Sequence, residues 1–258
     1  MSAPLIRLAG FLQCNYADGC VRQLRIFPES LAAILIFTAR LDRADPNADA
    51  LLSADEKLRA SRFVRPRDRA RFVAARSLLR RSLGSVVGLA GKDIVFGYEA
   101  TGRPYLVDIA AAPDFNVSHS DDVVLIAISR VGRIGVDIEA VRPMEDLQGL
   151  AGQMMHPVEW DSFIGLPADQ RTAHFFQLWT RKEALLKASG VGLSLDPRSV
   201  LIGLAASDED ISCKVGSTPC VLRTIAAPDG FAAAICVPEC GYPQMVCFPS
   251  SQASLDAF

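Results

Sequence analysis

The stretch FFQLWTRKEALLKASGVG, residues 175–192, sets Trp179, Glu183 and Lys187 four residues apart, so on a helix all three share one face. The surrounding pattern predicts a helix over residues 169–189, closed at its C-terminal end by Gly190 and Gly192. A Glu placed four residues before a Lys is a common helix stabiliser, and the ring beside them can be ordinary packing. The same column of aromatic, carboxylate and ammonium also suits a metal-bound phosphate. The stretch alone leaves both readings open, and three other segments bear on the choice.

The first is RIGVDIE, residues 133–139. It alternates with period two, with Ile134, Val136 and Ile138 on one face of a strand and Gly135, Asp137 and Glu139 on the other. Two carboxylates on one side repel unless a cation lies between them, and few hard oxygen ligands with room for phosphate oxygens suit Mg²⁺. A solvent-facing polar row on an edge strand gives the same pattern. Glu183 is the candidate third carboxylate.

The second is FNVSHSDD, residues 115–122. Phe115–Ser118 and Val123–Ser129 read as strands around a polar bend of His119, Ser120, Asp121 and Asp122. Ser118 and Ser120 are immediate neighbours of His119, unlike triad members, and no G-x-S-x-G elbow occurs. A histidine on such a bend suits phosphate binding, or simply hydrogen-bonds its own loop. The third segment is the turn TGRP, residues 101–104, after a short strand over 95–99. It would present the Arg103 fork to an anion, although an idle exposed arginine looks the same. There is no P-loop and no complete G-x-G-x-x-G.

Further upstream, Leu31–Leu41 is a strand candidate, and Ser53 followed by Glu56 is a capping-box signature. Pro66 ends or bends that helix, and Asp68 is the expected cap of the next. There Phe72, Ala75, Leu79 and Leu83 share one face, and Arg69, Arg76 and Arg80 another. Of 27 basic and 29 acidic residues in the 258-residue chain, ten and one lie in 57–81, leaving 17 and 28 elsewhere. That local surplus, in a protein of net charge −2, predicts an anionic partner for the segment. A nucleic-acid-binding protein is the rival reading, weakened by the scarcity of stacking aromatics, only Phe63 and Phe72, and by the acidic remainder.

The seven cysteines, Cys14, Cys20, Cys213, Cys220, Cys236, Cys240 and Cys247, lack zinc spacing and are odd in number, which points to a cytoplasmic protein. No apolar run is long enough to span a membrane, and residues 1–30 read as a variable extension without signal-peptide character. Helical patterns around 144–155 and 158–164 and a hairpin of 221–226 with 231–237 follow. Strands and helices are segregated, which predicts an α+β fold, and a helix-then-strands order recurs faintly in each half.

TGRP (101–104), FNVSHS (115–120), GVDIE (135–139) and FFQLWTRKEALLKASGVGLSL (175–195), in that order, resemble the Sfp-type 4′-phosphopantetheinyl transferases. The likeness extends over about residues 31–240 and includes LSADEKLRASRFVRPRDRARFVAARSLLRR (52–81). It implies two similar α+β halves, 31–132 and 133–258, related by a pseudo-twofold with the site between them. It also implies transfer of the phosphopantetheine arm of coenzyme A to a serine of an apo carrier protein, as in a holo-[acyl-carrier-protein] synthase, leaving 3′,5′-ADP. By the same likeness Asp137, Glu139 and Glu183 would hold Mg²⁺, Glu183 would act as general base, and Lys187 would neutralise the pyrophosphate. Arg62, Arg65, Arg103, Ser118 and His119 would bind coenzyme A together with Asp137, and Trp179 would be packing. A monomer without nucleic-acid or membrane partners is implied, and a catalytically silent carrier-protein-binding relative is the other alternative. Arg103 stands where many members carry lysine, Asp121 where a glycine is frequent, and Glu159 matches a family acid by position alone.

Overall fold

A computed structural model describes residues 33–42, 47–190, 195–203, 210–215, 217–239 and 244–248. The extension 1–30, Gly192, Cys14, Cys20 and Cys240 lie outside these residues. The chain begins with strand β1 (Ala33–Arg40), followed by helices α1 (Ala48–Leu51), α2 (Ala54–Ser61) and α3 (Pro66–Val87). A small ladder of β2 (Phe96–Tyr98) and β3 (Pro104–Leu106) leads to β4 (Asp114–Ser120), β5 (Val123–Ser129) and β6 (Gly135–Ala140). Helices α4 (Leu147–Met154), α5 (Pro157–Ile164) and α6 (Ala168–Ser189) come next, then β7 (Ile211–Val215), β8 (Thr218–Thr224), β9 (Phe231–Pro238) and β10 (Gln244–Phe248).

The fold is α+β. Two four-stranded sheets, ordered β10-β1-β5-β4 and β6-β9-β8-β7, each carry one 22-residue helix. Phe37, Ala39, Val124, Ile126 and Ile128 face Leu78, Leu79 and Leu83 of α3. Ala232, Ala234 and Cys236 face Phe175, Leu178 and Leu185 of α6. The remaining faces meet in a third cluster, with Ile34, Ile36 and Leu125 against Val136, Ile138 and Ile235. Being buried on both sides, β5 shows an unbroken apolar run where a half-exposed strand would alternate. The strand pairing crosses the expected division at 132/133, because β10 closes the first sheet parallel to β1.

The capping box at Ser53 is present, with the Ser53 hydroxyl accepting from the Glu56 N–H and the Glu56 carboxylate from the Ser53 N–H. Asp68 does not cap α3. Pro66 occupies the first turn, where its missing N–H costs nothing, Arg65 is the N-cap, and Asp68 lies inside the turn. The basic face is also less free than its composition suggests. Arg80 is only 2% exposed and donates to Glu56 at 2.6 Å and to the Gly91 and Ile94 carbonyls. Arg76 joins the same Glu56, Arg69 pairs with Asp49, and Arg67 and Arg71 clamp Asp122 in the β4–β5 turn. Five of the ten cations are therefore engaged within the fold, sharing three carboxylates.

Burial works to raise the Glu56 carboxyl, but Arg76, the Ser53 N–H and Arg80 together hold it below its ordinary value. A depressed carboxyl adds stability above its unfolded value, and that stability fades as pH falls through the folded one. Glu56→Gln should therefore melt well below the wild type at neutral pH, by the roughly 3 kcal/mol of a broken buried pair. The two melting curves should converge in acid; parallel curves at every pH would show that the ion pair does not stabilise the fold.

Candidate active site

The edge strands β4 and β6 run side by side but share no backbone ladder; side chains take its place. Alternate residues of β4 reach across: Asp114 Oδ2 accepts from the Ile134 N–H and Asn116 Oδ1 from the Val136 N–H. Ser118 Oγ donates to Asp137 Oδ1 at 2.7 Å, and Ser120 Oγ donates to Glu139 Oε2 at 2.7 Å while accepting from the Ala140 N–H. The period of two along D-F-N-V-S-H-S puts 114, 116, 118 and 120 on this seam and turns Phe115 and Val117 to the α3 core.

Helix α6 descends onto β6 at Gly135, where any side chain would collide with the Ala184 carbonyl and the Ala188 amide. That close approach sets the 183/187 face of α6 beside Asp137. Lys187 Nζ donates to Asp137 Oδ1 at 2.6 Å and to Ser118 Oγ at 3.1 Å. Gly190 ends the helix in the left-handed region at φ 72°, the conformation glycine adopts without strain. Trp179 stacks on Phe175 at 6.2 Å between centroids and packs on the core, away from chemistry.

Two carboxylates here are under-satisfied. Asp137 is 3% exposed and its Oδ2 has no hydrogen-bond partner among the described residues. Burial pushes the Glu183 carboxyl up; Asp137 and, more weakly, Glu139 add to the rise, and Lys187 only partly offsets it. Among the described residues no three acid, histidine or cysteine side chains form a ready-made ion cage. A cluster of under-compensated acids with Lys187 as counter-ion is what remains.

The site thus joins Ser118, Asp137, Glu139, Glu183 and Lys187, and adds Ser120, which sequence reading had placed in a bend. Strand β4 runs on through Ser120, and the turn is confined to Asp121 and Asp122, with Asp121 at φ 47° where a glycine is frequent. His119 points to the opposite face of β4 from Ser118 and is exposed. Arg62 and Arg65 lie exposed between α2 and α3; Arg62 lines a cavity of about 530 Å³ with Asp55, Leu58, Arg59 and Phe63.

Arg103 is not the exposed fork of the turn. At 9% exposure it donates to Asp114 Oδ2 at 2.6 Å, to the Phe115 and Ile134 carbonyls, and to the Lys187 carbonyl at 2.6 Å. It braces the seam from within, tying the β3 turn to the end of α6.

Lys182, next to Glu183, was missed. It is buried, with Nζ on the Met154, Pro197 and Val200 carbonyls and on Glu159 at 2.7 Å. Glu159 also accepts from the His156, Ile202 and Gly203 N–H groups, so this acid is structural. No spacing signal marks Lys182, because its partners come from three separate segments.

A family model described as the 4′-phosphopantetheinyl transferase superfamily matches residues 133–236. A second, described as 4′-phosphopantetheinyl transferase, N-terminal, matches residues 46–131. The chain is 42% identical to 4′-phosphopantetheinyl transferase HetI of Nostoc sp. over 56% of its own length and 62% of that relative. A Synechocystis sp. relative is 40% identical over 58% of this chain and 61% of its own length. The chain therefore spans less than two thirds of either. A 4′-phosphopantetheinyl transferase of Bacillus subtilis is 32% identical over 72% of this chain and 82% of its own. The chain belongs to the 4′-phosphopantetheinyl transferase superfamily.

Proposed function

We propose that this protein transfers the 4′-phosphopantetheine arm of coenzyme A to a serine hydroxyl of an apo carrier protein and releases 3′,5′-ADP. The observation that carries the reading is the seam itself, where a Ser118–Asp137–Lys187 cluster adjoins a half-buried carboxylate held up in pKa. A carboxylate with a raised pKa is a better proton acceptor than an ordinary one. In the transfer, the serine oxygen bonds to the β-phosphorus of the pyrophosphate, the bond from that phosphorus to the ADP side breaks, and the serine proton passes to Glu183. Lys187 neutralises charge on the phosphate oxygens as that bond breaks.

Mg²⁺ fits the residues present. It is commonly held by one or two carboxylates plus phosphate oxygens, and the unpartnered Asp137 Oδ2 and the crowded Glu183 are suitable donors, with Glu139 beside them. Bound there, the ion would withdraw charge from the pyrophosphate. His119, Arg62 and Arg65 would meet the nucleotide end, including its 3′-phosphate. Arg103 acts as a brace, because both terminal nitrogens of its guanidinium already serve protein oxygens. One chain supplies both sides of the seam, which supports action as a monomer.

The test is intact-mass spectrometry of an apo carrier protein incubated with this protein, coenzyme A and Mg²⁺, with and without EDTA. A mass gain of one phosphopantetheine arm, lost with EDTA, is expected; no gain across several carriers would overturn the activity. His119→Ala should weaken coenzyme A binding about tenfold, the loss of one charge-assisted hydrogen bond of about 1.5 kcal/mol. Calorimetric titration showing unchanged affinity would remove His119 from the phosphate.

A further inference from the structure

Three thiols that the transfer chemistry does not use meet on the α6-facing side of the second sheet. Cys213 on β7 lies directly opposite Cys220 on β8 in the strand register. Cys236 on β9 lies within hydrogen-bonding reach of both. None is in a disulfide; Cys220 and Cys236 are buried at 3% and 0% exposure, while Cys213 is partly exposed. Strand β7 is the outer strand of its sheet, so Cys213 is the thiol that solvent reaches first.

We propose that Cys213 and Cys220 form a peroxide-oxidisable dithiol, a modification site on this hairpin separate from the carboxylate seam. Directly opposed residues of an antiparallel pair have Cα atoms about 4.5–5.5 Å apart, inside the roughly 4.4–6.8 Å that a disulfide spans. The contact with Cys236 holds the Cys213 thiol below its ordinary value against the opposing effect of burial, which favours the nucleophilic thiolate at the accessible position. The Cys213 thiolate attacks one peroxide oxygen, giving a sulfenic acid and, with a proton, water. The Cys220 sulfur then attacks the sulfenic sulfur, forming the S–S bond and expelling a second water. Two thiols are oxidised and one peroxide is reduced.

Lys214 lies between the two cysteines, and no Lys or Arg follows Arg223. Tryptic digestion without reduction therefore separates every relevant pairing. After the intact chain is treated with stoichiometric hydrogen peroxide, peptide 199–214 should appear linked to peptide 215–223, and dithiothreitol should release them. In Cys220→Ala, oxidation should stop at a sulfenic acid on Cys213 that dimedone traps. Cys236→Ala should still form the link, but more slowly. An unreacted hairpin, a link from Cys213 to the C-terminal peptide, or dimedone labelling of Cys213 that is equal in wild type and Cys220→Ala would each overturn the proposal.

Discussion

Replacing Glu183 by Gln is expected to cut transfer by orders of magnitude and, in the metal-free protein, to raise the melting temperature. The two effects share one cause. Burial and the nearby Asp137 and Glu139 make the charged carboxylate costly in the folded state, which is why its pKa lies above the ordinary value. A raised carboxyl loses stability as pH rises through its folded value, and above that value the full cost is present. Gln removes the charge and retains the shape. About 1 kcal/mol would move the midpoint of a chain this size by about 2–4 °C, and the gap should close in acid, below the unfolded value. Transfer should fall by about 10²–10⁴, the usual contribution of a general base. Coenzyme A should still bind. Paired measurements of carrier modification and thermal melting across pH check both halves. Retained activity would remove Glu183 from the proton transfer, and a melting temperature that falls would show that the carboxylate is satisfied in the fold.

What could be read in the sequence was local. The alternation of RIGVDIE and the fourfold spacing of Glu183 and Lys187 are set by backbone geometry, and both elements stand where that geometry puts them. The capping box is likewise a three-residue signal. What escaped the sequence depends on partners far along the chain. Nothing in 244–248 announces that it pairs with β1, more than 200 residues away. Arg80 lies on the polar face of α3 by periodicity, yet Glu56 from another helix meets it in the interior. The polar neighbours of His119 suggest a bend, but Ser118 and Ser120 hydrogen-bond Asp137 and Glu139 on β6. Period two, not turn chemistry, governs that stretch. The site is therefore legible as a set of acids and a lysine, while the braces that hold it come from tertiary pairing.

Arg103 separates a brace from a ligand-binding residue by experiment. Arg103→Ala removes donors from Asp114 and from the Phe115, Ile134 and Lys187 carbonyls at once. Burial already pushes the Asp114 carboxyl up despite the attraction of Arg103, so loss of the guanidinium leaves a half-buried acid with only the Ile134 N–H and Arg133 to offset it. Breaking such a pair costs about 3 kcal/mol, or about 6–12 °C in a chain of this size. Lysine retains the charge but, with a single nitrogen in place of a planar fork, cannot span carbonyls on β4, α6 and the residue before β6 together. Arg103→Lys should recover only part of the loss. Because the Lys187 carbonyl is one of the four acceptors, kcat should fall in both variants while the KM for coenzyme A changes little. A residue that held coenzyme A directly would give the reverse pattern: an unchanged melting temperature, a raised KM, and near-complete rescue by lysine. Melting and steady-state kinetics on the two variants decide between them, and the four protein oxygens around the guanidinium favour the brace.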